Sequence, residues 1–181
     1  MNHIIDPVPR NFCAIEEGIE RIARKLKTPA YAREDVVLMR LVTSMARHYD
    51  EIVSHVIRPQ RLNHVMFKTL LMAFGSPSNE LNPSRLSAVT GESRANMTRI
   101  CDELCERGLI VRHASESDRR RVVISITPAG ERMVRKMLPK ISIPLQRAHA
   151  LPSAEEKRQL EMLLKKQLAG LEAVLDDKAH Q

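Results

Sequence analysis

The run Ser93-Arg94-Ala95-Asn96-Met97-Thr98-Arg99 gathers two hydroxyls, two guanidinium groups and a carboxamide into two helical turns. These are groups that grip and read a nucleic acid. A guanidinium presents two parallel donors that match the O6 and N7 acceptors of guanine, and a carboxamide can pair with adenine. Arg99 and Asn96 carry those side chains. Ser93, Arg94 and Thr98 suit phosphate oxygens, which set register rather than sequence. Further on, Asp118-Arg119-Arg120-Arg121 places three guanidiniums in four positions. Arginine is drawn into a narrow minor groove by its negative potential, and the Asp118 carboxylate can hold the arginine pair in place. The competing readings are a solvated surface helix for the first run and a solubilising turn for the second.

Both runs need elements to position them. Asn82-Pro83 opens a short helix over 83–90, with an asparagine able to cap and a proline at the first helical position. Gly91 ends it, and Ser93 caps a second helix that runs to Arg107 and stops at Gly108. On a helical wheel Met97, Ile100, Cys101 and Leu104 share the inward face. Ala95, Thr98, Arg99, Asp102 and Glu106 point outward, with Asn96 and Glu103 at the margin. The outer face is small, polar or basic at its start and acidic at its end. That gradient suits a helix entering a major groove by its amino end, where the helix dipole is positive. Strands follow at 109–114 and 121–127, the second alternating between Val122, Ile124, Ile126 and Val123, Ser125, Thr127. The polar segment 115–120 joins them, so the expected centre is a helix-turn-helix with a β-hairpin wing.

Long amphipathic helices flank this module. Ile15, Ile19, Ile22 and Leu26 mark one over 12–27, stopped by Thr28-Pro29. Leu38, Leu41, Val42, Met45, Tyr49, Ile52, Val53 and Val56 stripe a second over 35–57, and a third covers 63–74. Thr127-Pro128 opens a long helix to about Ala150, interrupted and bent at Pro139 and Pro144. Ser153-Ala154-Glu155-Glu156 is a capping box for a last helix, with Leu160, Leu164, Leu168, Leu171 and Leu175 along one side. Exposing such stripes forfeits roughly 1.5–3 kcal/mol per side chain, so a second copy of the chain is the expected cover. Folding back onto the central module is the alternative.

The string Asp118-x-Arg120, five residues, then Ile126-Thr127-x-x-Gly130 resembles the wing signature of the MarR (multiple antibiotic resistance regulator) family. Ser93-Arg94 with Thr98-Arg99, Leu104 and Gly108 resembles its recognition helix, and Pro83-Ser84-x-Leu86 the helix before it. The resemblance covers residues 35–175 and departs at Ile126, where the family usually has leucine. The extra helix at 12–27 and the Ser-Arg-x-Asn-x-Thr-Arg-Ile run are similar to the multidrug-efflux repressor subgroup. It implies a mainly α protein, a winged helix-turn-helix plus a helical dimerisation domain. Its parts would be a flexible arm at 1–11, dimerisation helices at 12–58, the DNA-binding domain at 59–131 and further dimerisation helices at 132–181. It implies a homodimer on a pseudo-palindromic double-stranded operator, repressing until a small aromatic or lipophilic anion releases it. DNA contacts would come from Ser84, Ser93, Arg94, Ala95, Asn96, Thr98, Arg99, Asp118, Arg119, Arg120 and Arg121. Positional matching puts Arg47, His48, His64 and Phe67 near the effector junction, although Phe67 also reads as core and His64 as a helix start.

The remaining composition narrows the classes. A net charge of +7 and a pI near 9.7 favour a polyanionic partner. No apolar run reaches the roughly 18–20 residues of a membrane span, and the opening residues lack a secretory pattern. The three cysteines fit a reducing interior, so a cytoplasmic protein is expected. Cys101 and Cys105, four apart, have a spacing compatible with redox or metal chemistry, yet Cys101 falls on the core face and no histidine motif completes a metal set. Cys13 would matter only to a redox-sensing variant of the same fold. Glycine-rich phosphate loops, His-Glu-x-x-His and Gly-x-Ser-x-Gly are missing, so neither an enzyme nor a cofactor is expected. A winged helix that binds protein instead of DNA is the other alternative.

Overall fold

The computed structural model describes residues 12–26, 32–76, 80–115 and 121–179. The described elements are helices α1 (Phe12–Leu26), α2 (Arg33–Ile57), α3 (His64–Phe74), α4 (Pro83–Thr90), α5 (Arg94–Glu106), α6 (Pro128–Ala148) and α7 (Ala154–Ala179). Strands β1 (Glu80–Leu81), β2 (Ile110–Ala114) and β3 (Val122–Ile126) complete the set. The chain divides into two compact units within α2, between His55 and Val56.

In the first unit α1 buries Phe12 and Ile19. Glu20 gathers two guanidiniums, Arg24 at 3.0 Å on its own helix and Arg33 at 3.6 Å on α2.

The second unit has the continuous core. Ile57, Leu70, Leu86, Met97, Ile100, Leu104, Ile110, Ile124, Val134 and Met137 are all under 2% exposed. They come from α2, α3, α4, α5, β2, β3 and α6, so one apolar cluster fixes every element around the helix pair. Local chemistry sets the boundaries. The Asn63 side chain accepts from the Met66 amide at 2.8 Å and so caps α3 from outside, which is why the helix starts one residue later than periodicity suggests. Asn82 caps α4 through the Ser84 amide at 2.8 Å, and Ser93 caps α5 through the Asn96 amide at 3.2 Å. Gly91 (φ 74°) and Gly108 (φ 64°) take the left-handed conformation that ends each helix.

The sheet order is β1-β3-β2, all antiparallel, with Ile110 opposite Ile126 and Ala114 opposite Val122. The strands are shorter than the periodicity suggests, β3 lacking Arg121 and Thr127, the latter serving as the cap of α6. Leu109 is not in β2, because its amide closes the end of α5 on the Leu104 carbonyl at 3.0 Å. A two-residue strand, β1, adds an outer pairing to β3, leaving β3 central and buried at both Val123 and Ile124. A strand that short has no period for a sequence to display.

Gly130 sits where the wing meets α6. A Cβ there would lie 2.2 Å from the Leu109 carbonyl oxygen and 2.7 Å from Ile126 Cγ1, so only glycine admits this approach. Thr127 completes the junction: its hydroxyl donates to the Gly108 carbonyl at 2.7 Å and accepts from the Gly130 amide at 3.1 Å. The expected interruption of α6 does not occur. The helix runs continuously through Pro139 and Pro144, and the Ser142 hydroxyl donates to the Leu138 carbonyl at 2.8 Å in the same turns. The capping box of α7 forms as expected, Glu156 accepting from the Ser153 amide at 2.7 Å and Ser153 from the Glu156 amide at 3.2 Å.

Candidate nucleic-acid interface

The inward face of α5 is the one periodicity selects: Met97, Ile100, Cys101 and Leu104 are no more than 1% exposed. Ser93, Arg94, Ala95, Thr98 and Arg99 are therefore left on the surface, and Asn96 is half-buried. All of them stand in the first two turns, where unpaired amides and the dipole favour anions. The side chains are not independent. Asn96 Nδ2 donates to Glu92 Oε2 at 2.5 Å, and Arg99 Nη2 donates to Asn96 Oδ1 at 3.0 Å. Arg99 Nη1 also lies 3.7 Å from Glu103 Oε2. The Thr98 hydroxyl turns back to the Arg94 carbonyl at 2.9 Å.

Ser84 is exposed in the first turn of α4. Together with Pro83, Ser87, Arg94, Met97 and Thr98 it lines a cleft of about 160 Å³ between the two helices. The Ser87 hydroxyl is buried there without a hydrogen-bond partner among the described residues.

Sequence reasoning missed two arginines that fix this helix. Arg112 of β2 pairs with Asp102 and donates to the Thr98 carbonyl at 3.2 Å, tying α5 to the wing. Burial would lower the Arg112 pKa, but the Asp102 carboxylate outweighs it and the net shift is upward. Arg107, at the end of α5, donates to the carbonyls of Arg61 at 2.7 Å and Gln60 at 2.8 Å. Those carbonyls belong to a 3₁₀ turn that follows α2 and ends on Arg61 in the left-handed conformation. The signal for Arg112 was an outward Asp102 on α5 and an arginine on the strand that follows it. For Arg107, 46 residues from its partner, no local signal existed.

In the wing, Asp118, Arg119 and Arg120 lie outside the described residues. Arg121 is exposed, and its carbonyl accepts from the Ser115 amide at 2.9 Å, the last rung described toward the tip. Across the hairpin, His113 Nε2 meets the Ser125 hydroxyl at 2.7 Å.

Residues 70–121, from the second half of α3 to the start of β3, match the MarR family model. Over a longer span the chain is 31% identical to the transcriptional repressor MprA of Escherichia coli K12, across 167 residues that cover 92% of this chain and 94% of that protein. The chain belongs to the MarR family. Among solved structures it resembles a cysteine-to-serine mutant of E. coli MarR complexed with operator DNA, with 25% identity, TM-score 0.63, and 75% and 96% of the two chains covered. CouR of Rhodococcus jostii RHA1, bound to p-coumaroyl-CoA, shares the fold at 23% identity and TM-score 0.63, covering 69% of this chain and 87% of that one.

In this MarR-family chain the four effector candidates divide between the units. Arg47 and His48 are adjacent on α2 in the first unit, both exposed. Arg47 pairs with Glu51 at 3.3 Å, and His48 Nδ1 lies 2.7 Å from the Ser44 carbonyl. Arg47, with Ile15, Arg40, Thr43 and Ser44, lines a cleft of about 290 Å³. In the second unit His64 is the first residue of α3 and Phe67 is buried in the core.

The three thiols differ in surroundings. Burial pushes the Cys101 thiol up, and the nearby Arg112 guanidinium only partly opposes this; burial likewise raises Cys105. A raised thiol holds less of the nucleophilic thiolate. Cys13 is exposed on α1. Among the described residues no cluster of histidine, cysteine and carboxylate side chains could hold a metal, and no helix is long and apolar enough to cross a membrane.

Proposed function

We propose that this chain is a homodimeric, sequence-specific DNA-binding repressor without catalytic activity, acting on promoter DNA in the cytoplasm. The observation that carries the reading is the outward surface of the first two turns of α5. It holds Arg94, Asn96, Thr98 and Arg99 over a wholly buried apolar face, at the end of the helix that favours phosphate. In this reading Arg99 reaches base edges from the major groove, assisted by Asn96 and Ala95, while Ser84, Ser93, Arg94 and Thr98 hold the backbone. Asp118, Arg119, Arg120 and Arg121 form the tip that enters the adjacent minor groove.

Dimerisation rests on the outer helices, residues 12–58 and 132–181, with the winged domain at 59–131 between them. Helix α7 has no buried residue among those described, and Leu160, Leu163, Leu164, Leu168, Leu171 and Leu175 are 37–66% exposed. These partly exposed leucines leave roughly 5–9 kcal/mol of burial unrealised, and a two-fold partner with the same stripe supplies the cover.

Release is assigned to small aromatic or lipophilic anions, with Arg47, His48, His64 and Phe67 as candidate contacts and multidrug-efflux or aromatic-compound genes as the candidate targets. Such a ligand acts only through tighter binding to the DNA-free conformation. The test is selection of genomic fragments by the purified protein. Recovery of a shared inverted repeat supports the reading. Failure to retain any fragment at modest ionic strength leaves a winged helix that binds protein.

A further inference from the structure

Asn96 is the second side chain on α5 with the chemistry of a base reader, yet its surroundings give it different work. It is half-buried, and each end of its amide is tied to a neighbour on the same helix surface. The nitrogen donates to Glu92, just before the cap, at 2.5 Å, and the oxygen accepts from Arg99 at 3.0 Å. The carboxylate settles which way round the amide lies, because only the nitrogen can donate to it. The oxygen is thereby aimed at the guanidinium. Arg99 is the longer and more exposed partner, its side chain 64% accessible. One Nη2 donor is used on Asn96, while Nη1, 3.7 Å from Glu103 Oε2, is beyond hydrogen-bond distance, so paired donors of the kind guanine requires remain.

We infer that Glu92 and Asn96 are positioning residues for specificity: they hold Arg99 in one rotamer, and Asn96 assists its reading of the base without reading one itself. This rests on the proposal that α5 enters the major groove. An arginine left to rotate would meet base edges in several orientations and discriminate less well. Glu92 also carries a negative charge at the end of α5 that meets phosphate, where it opposes DNA by simple electrostatics. Positioning gives an acid there a use that a phosphate-binding role does not.

The experiment maps base preference. Operators are selected from a random duplex library with the wild-type protein, and every base pair of the consensus is then substituted in turn. Arg99→Ala, Asn96→Ala, the double variant, Glu92→Ala and Glu92→Gln are each titrated against this panel. Circular dichroism and thermal melts check that each variant folds.

Arg99→Ala is expected to flatten discrimination at one base pair per half-site by roughly 5- to 150-fold. Asn96→Ala flattens the same base pair by roughly five-fold, the worth of one hydrogen bond, and the double variant is no worse than Arg99→Ala alone. Glu92→Ala follows Asn96→Ala, whereas Glu92→Gln, which keeps an accepting oxygen, retains the wild-type pattern. Relaxation at a different base pair in Asn96→Ala overturns the inference, because Asn96 is then a reader in its own right. A loss uniform across the panel in Arg99→Ala overturns it differently, by removing Arg99 as a reader and with it the major-groove role of α5.

Discussion

Replacing Gly130 by alanine forces a new methyl group against the backbone at the root of the wing. The added carbon would stand 2.2 Å from the Leu109 carbonyl oxygen, where real contacts do not fall below 3.0 Å. That oxygen must therefore retreat by about 0.8 Å or more, in a core packed too tightly to absorb it freely. It already accepts the Thr127 amide at 3.1 Å, and the Thr127 hydroxyl is bonded to the carbonyl one residue earlier. Overpacking of this kind costs about 1–3 kcal/mol, and loosening the Thr127 bonds adds about 1–2 kcal/mol. The expected loss is about 2–5 kcal/mol, read by urea denaturation, with a fall in melting temperature of roughly 2–4 °C per kcal/mol for a chain of this size. Gly91→Ala is the control. Its φ is 74° but nothing lies within 4 Å of the added carbon, so it should lose only about 1–2 kcal/mol, the left-handed penalty. If Gly130→Ala stays within 1 kcal/mol of wild type by this rough scale, or proves milder than Gly91→Ala, the close approach of α6 to the wing is refuted.

Three further outcomes are expected. Arg107→Ala removes two charge-assisted bonds to the turn after α2 and should cost about 1–3 kcal/mol in denaturant unfolding; an unchanged midpoint means the clamp carries no load. Iodoacetamide should modify Cys13 well before Cys101 in native protein. Because burial raises the Cys101 thiol, its neutral form is favoured by the fold, and the associated stability declines as pH rises from the ordinary thiol range toward the raised value; rapid alkylation of Cys101 at neutral pH contradicts this. Deleting residues 153–181 should convert dimer to monomer or aggregate in sedimentation. A well-behaved monomer that still holds operator with full affinity removes α7 from the dimer interface.

The central module was legible because its signals are local. Asn82-Pro83, Ser93 and the two glycines punctuate α4 and α5 by chemistry that acts over four residues, and the apolar period of α5 selected the buried set Met97, Ile100, Cys101 and Leu104. What escaped depends on partners distant in the chain. The Arg107 clamp spans 46 and 47 residues and the Arg112–Asp102 pair joins strand to helix. The two-residue β1 exists only because β3 offers an edge. Asn96 and Arg99 stood out by residue type, but Glu92 and the hydrogen bonds that link the three did not, since polar groups at steps of three and four can equally face solvent. Proline misled in α6, where it was read as an interruption. The helix nonetheless runs continuously over Pro128–Ala148. The role of Gly130 appeared in sequence as a family signature, and the distance to Leu109 gives the physical reason for it.

The account is tested most directly by operator affinity measured against salt concentration, using the full chain and a selected inverted repeat. Two winged modules gripping phosphates predict two chains per duplex and log affinity falling steeply and linearly with log salt, with a slope of about −0.9 for each phosphate neutralised. Arg99→Ala should leave that slope unchanged while the preference for operator over random duplex falls. A flat salt dependence, or equal affinity for operator and random duplex in the wild type, would contradict it.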